Sequence, residues 1–72
     1  MANITWQMNA PGYVELSIYD FTGRKIETLV NSELAAGNHQ AVFDATRIPA
    51  GMYFCKLLVN GMIDTREIIV SK

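Results

Sequence analysis

The chain has 72 residues, half of them hydrophobic, with a formal net charge of −1. That composition fits one small packed domain spanning 1–72 and excludes a disordered chain. Six basic residues are scattered among seven acids, which leaves no basic face for nucleic acid, and Lys56 interrupts the longest apolar run well short of the roughly 18 residues of a membrane span.

Strand signals dominate from the start. Ile4-Thr-Trp-Gln-Met8 alternates, with Ile4, Trp6 and Met8 on one face, and Asn9-Ala-Pro-Gly12 is a turn cluster. Tyr13-Val-Glu-Leu-Ser-Ile-Tyr19 alternates cleanly and points Val14, Leu16 and Ile18 at the core. In the next turn, Asp20-Phe-Thr-Gly23, Asp20 bonds to backbone two residues on. Gly23 takes a positive φ, as a type I turn with a glycine bulge requires. Arg24–Val30 is a further strand, but Ile26 and Leu29 break strict alternation, which predicts a bulge or an edge position.

Asn31–Gly37 reads as a loop, too short to hold a helix alone. Asn38–Phe43 is a strand with Ala41 and Phe43 inward, and Asp44–Gly51 is a long connection in which Ile48 plugs the end of the core. Asn60-Gly61 is the strongest short hairpin signal, because a type I′ turn needs positive φ at both central residues. It pairs Val59 with Met62, Leu57 with Asp64, Cys55 with Arg66 and Tyr53 with Ile68, and Val70 continues that inward face. The opposite face carries Met52, Phe54, Lys56, Leu58, Ile63, Thr65, Glu67 and Ile69. Its apolar members, Met52, Phe54, Leu58, Ile63 and Ile69, make a patch of a few hundred Å² of the kind that marks a contact surface. Either the 31–37 loop or a neighbouring strand covers it, or it packs on a preceding domain, a partner or a second copy through this hairpin.

Six or so strands with short turns and no convincing helix give an all-β, small antiparallel Ig-like sandwich of about six to seven strands, with a small open barrel as the alternative. Convergent catalytic groups are missing: the acids fall about one to each strand or turn, and a domain of this size has no room for an enzymatic cleft. No cofactor and no metal site is expected. His39 lacks a second ligand at metal spacing and reads as a solvent-facing residue at a strand start; Asp20 and Asp44 read as backbone caps. Cys55, the only cysteine, reads as a small buried hydrophobe. Trp6, Tyr13 and Tyr19 are either core and rim residues or a sugar-stacking platform.

The order of motifs carries more. Val14-Glu-Leu-Ser-Ile-Tyr-Asp-Phe-Thr-Gly-Arg24, Leu29-Val30, Ala36-Gly37-Asn-His39, Phe43-Asp44, Pro49-Ala-Gly-Met-Tyr-Phe54 and Thr65-Arg-Glu-Ile-Ile-Val-Ser-Lys72 together resemble the C-terminal sorting domain of the type IX secretion system. They are also similar to the Ig-like domain of the flagellar hook-capping protein. The first resemblance implies a β-sandwich that takes an upstream cargo across the outer membrane of Bacteroidetes-type bacteria, through a dedicated machinery, for anchoring at the surface or release. The cargo would be exported behind a signal peptide lying upstream, since Met1-Ala-Asn-Ile has neither a basic n-region nor an apolar core. Matched motif to motif, the sorting elements would be Pro49, Gly51 and Tyr53 and the closing Ile68, Val70 and Lys72. The second resemblance implies a non-catalytic structural or interaction module, or an accessory domain of a surface enzyme. The strand Arg66–Val70 is the natural edge for strand addition onto a partner.

Overall fold

A computed structural model describes residues 2–71. Six strands follow in chain order: β1 (Ala2–Met8), β2 (Gly12–Asp20), β3 (Lys25–Leu34), β4 (Gly37–Phe43), β5 (Gly51–Val59) and β6 (Met62–Val70), with a short 3₁₀ turn at Ala45–Arg47 between β4 and β5. They form two antiparallel sheets, a two-stranded one with β1 beside β4 and a four-stranded one in the order β3-β2-β5-β6. The arrangement is the small all-β sandwich that the alternating patterns predict.

The core lies between the sheets. Ile4, Trp6 and Met8 of β1 and Phe43 of β4 face Val14, Leu16 and Ile18 of β2 and Tyr53, Cys55 and Leu57 of β5, with Val70 closing the β6 end. Each of these residues falls on the period-2 face expected from the sequence. Ile48 packs against the same cluster from the loop, as a plug.

The turns follow their chemistry. Asn60 (φ 49°) and Gly61 (φ 84°) both adopt positive φ, and the β5–β6 register is the one the Asn-Gly turn dictates. Asn60 also reaches back to β2: its side-chain oxygen accepts from the Tyr13 amide at 3.3 Å and its own amide donates to the Tyr13 carbonyl at 3.2 Å. In the β2–β3 turn the Asp20 carboxylate accepts from the Thr22 amide (3.0 Å), the Thr22 hydroxyl (2.6 Å) and the Arg24 amide (3.0 Å). Asp44 repeats the motif on Thr46 and caps the 3₁₀ turn.

β3 is where local pattern and fold part company. Its pairing with β2 slips twice, so that Leu29 and Ile26 are each the extra residue. These are the two residues that break alternation. The bulges turn both side chains toward the core. The strand also runs on through Asn31–Leu34, where a loop was expected, because Gly12–Glu15 of β2 pair with Asn31–Leu34. Only Ala35 and Ala36 then separate β3 from β4, and Gly37 turns the corner at φ 127°.

Candidate recognition surface

Two motifs far apart in sequence meet at one end of the sandwich. The β2–β3 turn and the β4–β5 connection line a groove of about 390 Å³ whose walls include Asp20, Phe21, Arg24, Pro49, Met52 and Tyr53. Phe21 stands 75% exposed and Met52 41% exposed on its rim. Arg24 pairs with Asp20 at 3.4 Å while remaining open to solvent. The groove is therefore largely apolar, with one ion pair at its edge.

The Pro49-Ala-Gly-Met-Tyr53 segment is shaped from below. Tyr53 is buried, and its hydroxyl donates to the Pro49 carbonyl at 2.7 Å, tying the connection to the first residues of β5. Gly51 sits at φ 153°, a backbone region that side chains rarely adopt. Gly51 and Tyr53 thus hold the loop; Pro49 and Gly51 are exposed and Tyr53 is buried.

The same end carries the close of β6. Gly51 lies opposite Val70, Met52 opposite Ile69 and Tyr53 opposite Ile68. Val70 is buried and Ile68 half-buried, so both act by seating the strand in the core. Lys72 lies outside the described residues. β6 is the outermost strand of its sheet and pairs only with β5, which leaves its other edge as the free rim expected of Arg66–Val70.

On the outer face of the hairpin the apolar residues Met52, Phe54, Leu58, Ile63 and Ile69 are interspersed with polar ones. Met52 and Ile69 face each other at one end and Leu58 and Ile63 at the other. Between them run Ser17, Lys56 and Thr65 in one cross-strand row and Tyr19, Phe54 and Glu67 in the next. Lys56 lies over the Tyr19 ring at 4.7 Å. Met52, Ile63 and Ile69 are exposed, and Phe54 and Leu58 half-buried. Asn31–Leu34 do not fold over this face, being the outer strand on the far side of β2.

The other candidates resolve into structure. Trp6 is in the core and stacks on His39, with ring centroids 5.8 Å apart. It is therefore not a platform, and Tyr13 and Tyr19 lie on the other sheet. His39 is half-buried, not solvent-facing as expected, with Nε2 2.7 Å from the Ala35 carbonyl; it shares the inward parity of Ala41 and Phe43. Cys55 is fully buried, and burial pushes its thiol pKa up, away from nucleophilic use. Among the described residues no three His, Cys, Asp or Glu side chains gather to hold a metal, and no helix is long and apolar enough to cross a membrane.

Phe21 and Met52 as partners in one groove escaped the sequence reading. The available signal was an aromatic in mid-turn, where no strand face exists to bury it.

Three carboxylates, Asp20, Asp44 and Glu15, are held below their usual range. The Thr22 hydroxyl and Arg24 amide lower Asp20, the Thr46 amide and hydroxyl lower Asp44, and Lys25 and then Ser17 lower Glu15. A lowered folded pKa gives stability that is present above the ordinary value and is lost as pH falls through the depressed one. The urea midpoint should accordingly hold steady above about pH 5 and decline toward about pH 2. Asp20→Asn should lower the midpoint at neutral pH and flatten the acid limb; an acid limb of unchanged slope would remove Asp20 from the account.

The family model described as "Secretion system C-terminal sorting domain" matches residues 1–71. No curated protein and no solved structure matches the chain.

Proposed function

The chain belongs to the secretion-system C-terminal sorting domain family, and from that premise we propose that its sorting information is displayed at the end of the sandwich where the Pro49–Tyr53 segment meets the close of β6. As a type IX sorting domain it directs the protein that carries it to the cell surface or out of the cell, and it engages the type IX secretion machinery. Such a domain is a signal, and the family is generally non-catalytic. In keeping with this, the chain's chemistry is spent on turns, caps and core.

In this reading the residues divide into those that build the surface and those that are touched. Gly51, Tyr53, Ile68 and Val70 build it: they fix the loop and hold the last strand in place. Pro49, Phe21 and Met52 are presented to the machinery along the groove. The free edge of β6 adds a row of unpaired backbone donors and acceptors onto which a partner strand can pair. The observation that carries the reading is the cross-strand adjacency of Gly51 with Val70 and Met52 with Ile69, which brings the Pro49–Tyr53 segment beside the close of β6.

The test is a reporter fused ahead of this domain and expressed in a type IX-competent bacterium. Phe21→Ala combined with Met52→Ser removes two exposed apolar anchors without touching the core. Surface delivery should fall roughly tenfold, as for loss of a good interface anchor, with the melting temperature of the purified domain unchanged. Full delivery by the folded double variant would place the recognised surface elsewhere.

A further inference from the structure

The free edge of β6 carries a charge pattern that is complementary to itself. A two-residue hairpin makes Val59 and Met62 a hydrogen-bonded pair. By alternation Asp64, Arg66 and Ile68 also bond back to β5, whereas Ile63, Thr65, Glu67 and Ile69 turn their N–H and C=O groups to the free side. Any strand added antiparallel to this edge must place its own outward-turned residues opposite these four, so only alternate registers are open to a second copy of β6.

Charge selects among them. Centring the two-fold axis on Thr65 sets Thr65 opposite the Thr65 of the second copy, Asp64 opposite Arg66, Arg66 opposite Asp64, Ile63 opposite Glu67, and Met62 opposite Ile68. Shifting the axis to Asp64, Arg66 or Glu67 sets that residue against its own copy, a like-charge pair directly across the strands. One register therefore gains two opposite-charge pairs and a Thr–Thr pair, and each neighbouring one is penalised.

Both side chains are placed for this. Asp64 and Arg66 share the inner face of β6, form an ion pair at 3.2 Å and remain 59% and 44% exposed. Arg66 Nη1 donates to the Thr5 carbonyl at 2.9 Å, which holds the guanidinium beside the free edge of β1. β6 itself contains no proline, lysine or bulge to blunt its edge.

We propose that the domain self-associates by antiparallel pairing of β6 with β6 of a second copy, centred on Thr65, to give one continuous eight-stranded sheet (about twice the four-stranded sheet of each copy). The contact is a single strand edge, well below the 1,200–2,000 Å² or so of a stable interface, so the dimer is weak and reversible. The pairing rests on edge geometry and charge and stands apart from the export reading, although it uses the same rim.

Sedimentation of the 72-residue chain from about 10 µM to about 1 mM, the range of weak association, should show a concentration-dependent monomer–dimer equilibrium. D64R places arginines opposite each other and should weaken it at least about tenfold; R66D, which places aspartates opposite each other, should do the same. The reciprocal variant D64R/R66D restores both opposite-charge pairs and should restore the dimer, and melting curves verify that each variant is folded. A monomer at every concentration overturns the proposal. So does a dimer indifferent to D64R, as one made by exchange of β6 between copies would be, or a dimer that the double variant fails to recover.

Discussion

Deleting Ile68–Lys72 should abolish surface delivery of a cargo fused to this domain. The deletion removes the cross-strand partners of Tyr53, Met52 and Gly51, takes Val70 and Ile68 from the core cluster or its margin, and cuts away the end of the rim proposed for recognition. Truncation of a buried Ile side chain alone costs on the order of 2–5 kcal/mol, so a destabilised domain could mimic a lost signal. Two variants separate these effects. Lys72→Ala changes the matched closing motif while keeping Ile68 and Val70 in the chain. Thr65→Pro removes one outward-turned N–H of β6 and leaves the inward hydrogen bonds to β5 in place. If strand addition is the means of recognition, Thr65→Pro should impair delivery while the purified domain still melts cooperatively. Normal surface delivery of the truncated form, measured by protease accessibility of the cargo on intact cells, would refute the role assigned to the tail.

Phe43→Ala should be the most damaging single substitution in the domain. Phe43 is the largest of the side chains with essentially no solvent exposure, and it ends β4 where the smaller sheet closes over the larger. Emptying that site costs about 3–5 kcal/mol, set against a total stability of roughly 5–15 kcal/mol for folded domains, with a chain this small toward the low end. The melting temperature should drop by an amount on the order of 15–30 °C, and much of the protein should be unfolded at growth temperature. Calorimetry of the purified domain measures the first effect and reporter export the second. Export should fall with stability, because the groove is assembled from segments about 30 residues apart, as the positions of Phe21 and Met52 make plain, and exists only in the folded chain. Undiminished export of an unfolded Phe43→Ala domain would show that the machinery reads a linear stretch of chain.

Much of this was written in the sequence because the causes are local. The Asn60-Gly61 pair fixes the β5–β6 register, since only residues tolerant of positive φ complete a two-residue turn of the right twist. The alternation of Val14, Leu16 and Ile18 names the buried face of β2, and the broken alternation at Ile26 and Leu29 marks the bulges of β3. Motif order sufficed for family and export role.

Three things were settled only by sheet order. Asn31–Leu34 became strand because β2 offered them partners, a long-range pairing that outweighs loop-like composition. Ser17 and Tyr19 came to lie beside Lys56 and Phe54 on the outer face because β2 pairs with β5. Phe21 joined Pro49 and Met52 because β2 and β5 are neighbours. A strand's period and a turn's φ angles are properties of a few consecutive residues; which strands lie side by side depends on contacts across the whole chain, and the groove of Phe21, Pro49 and Met52 is made of those.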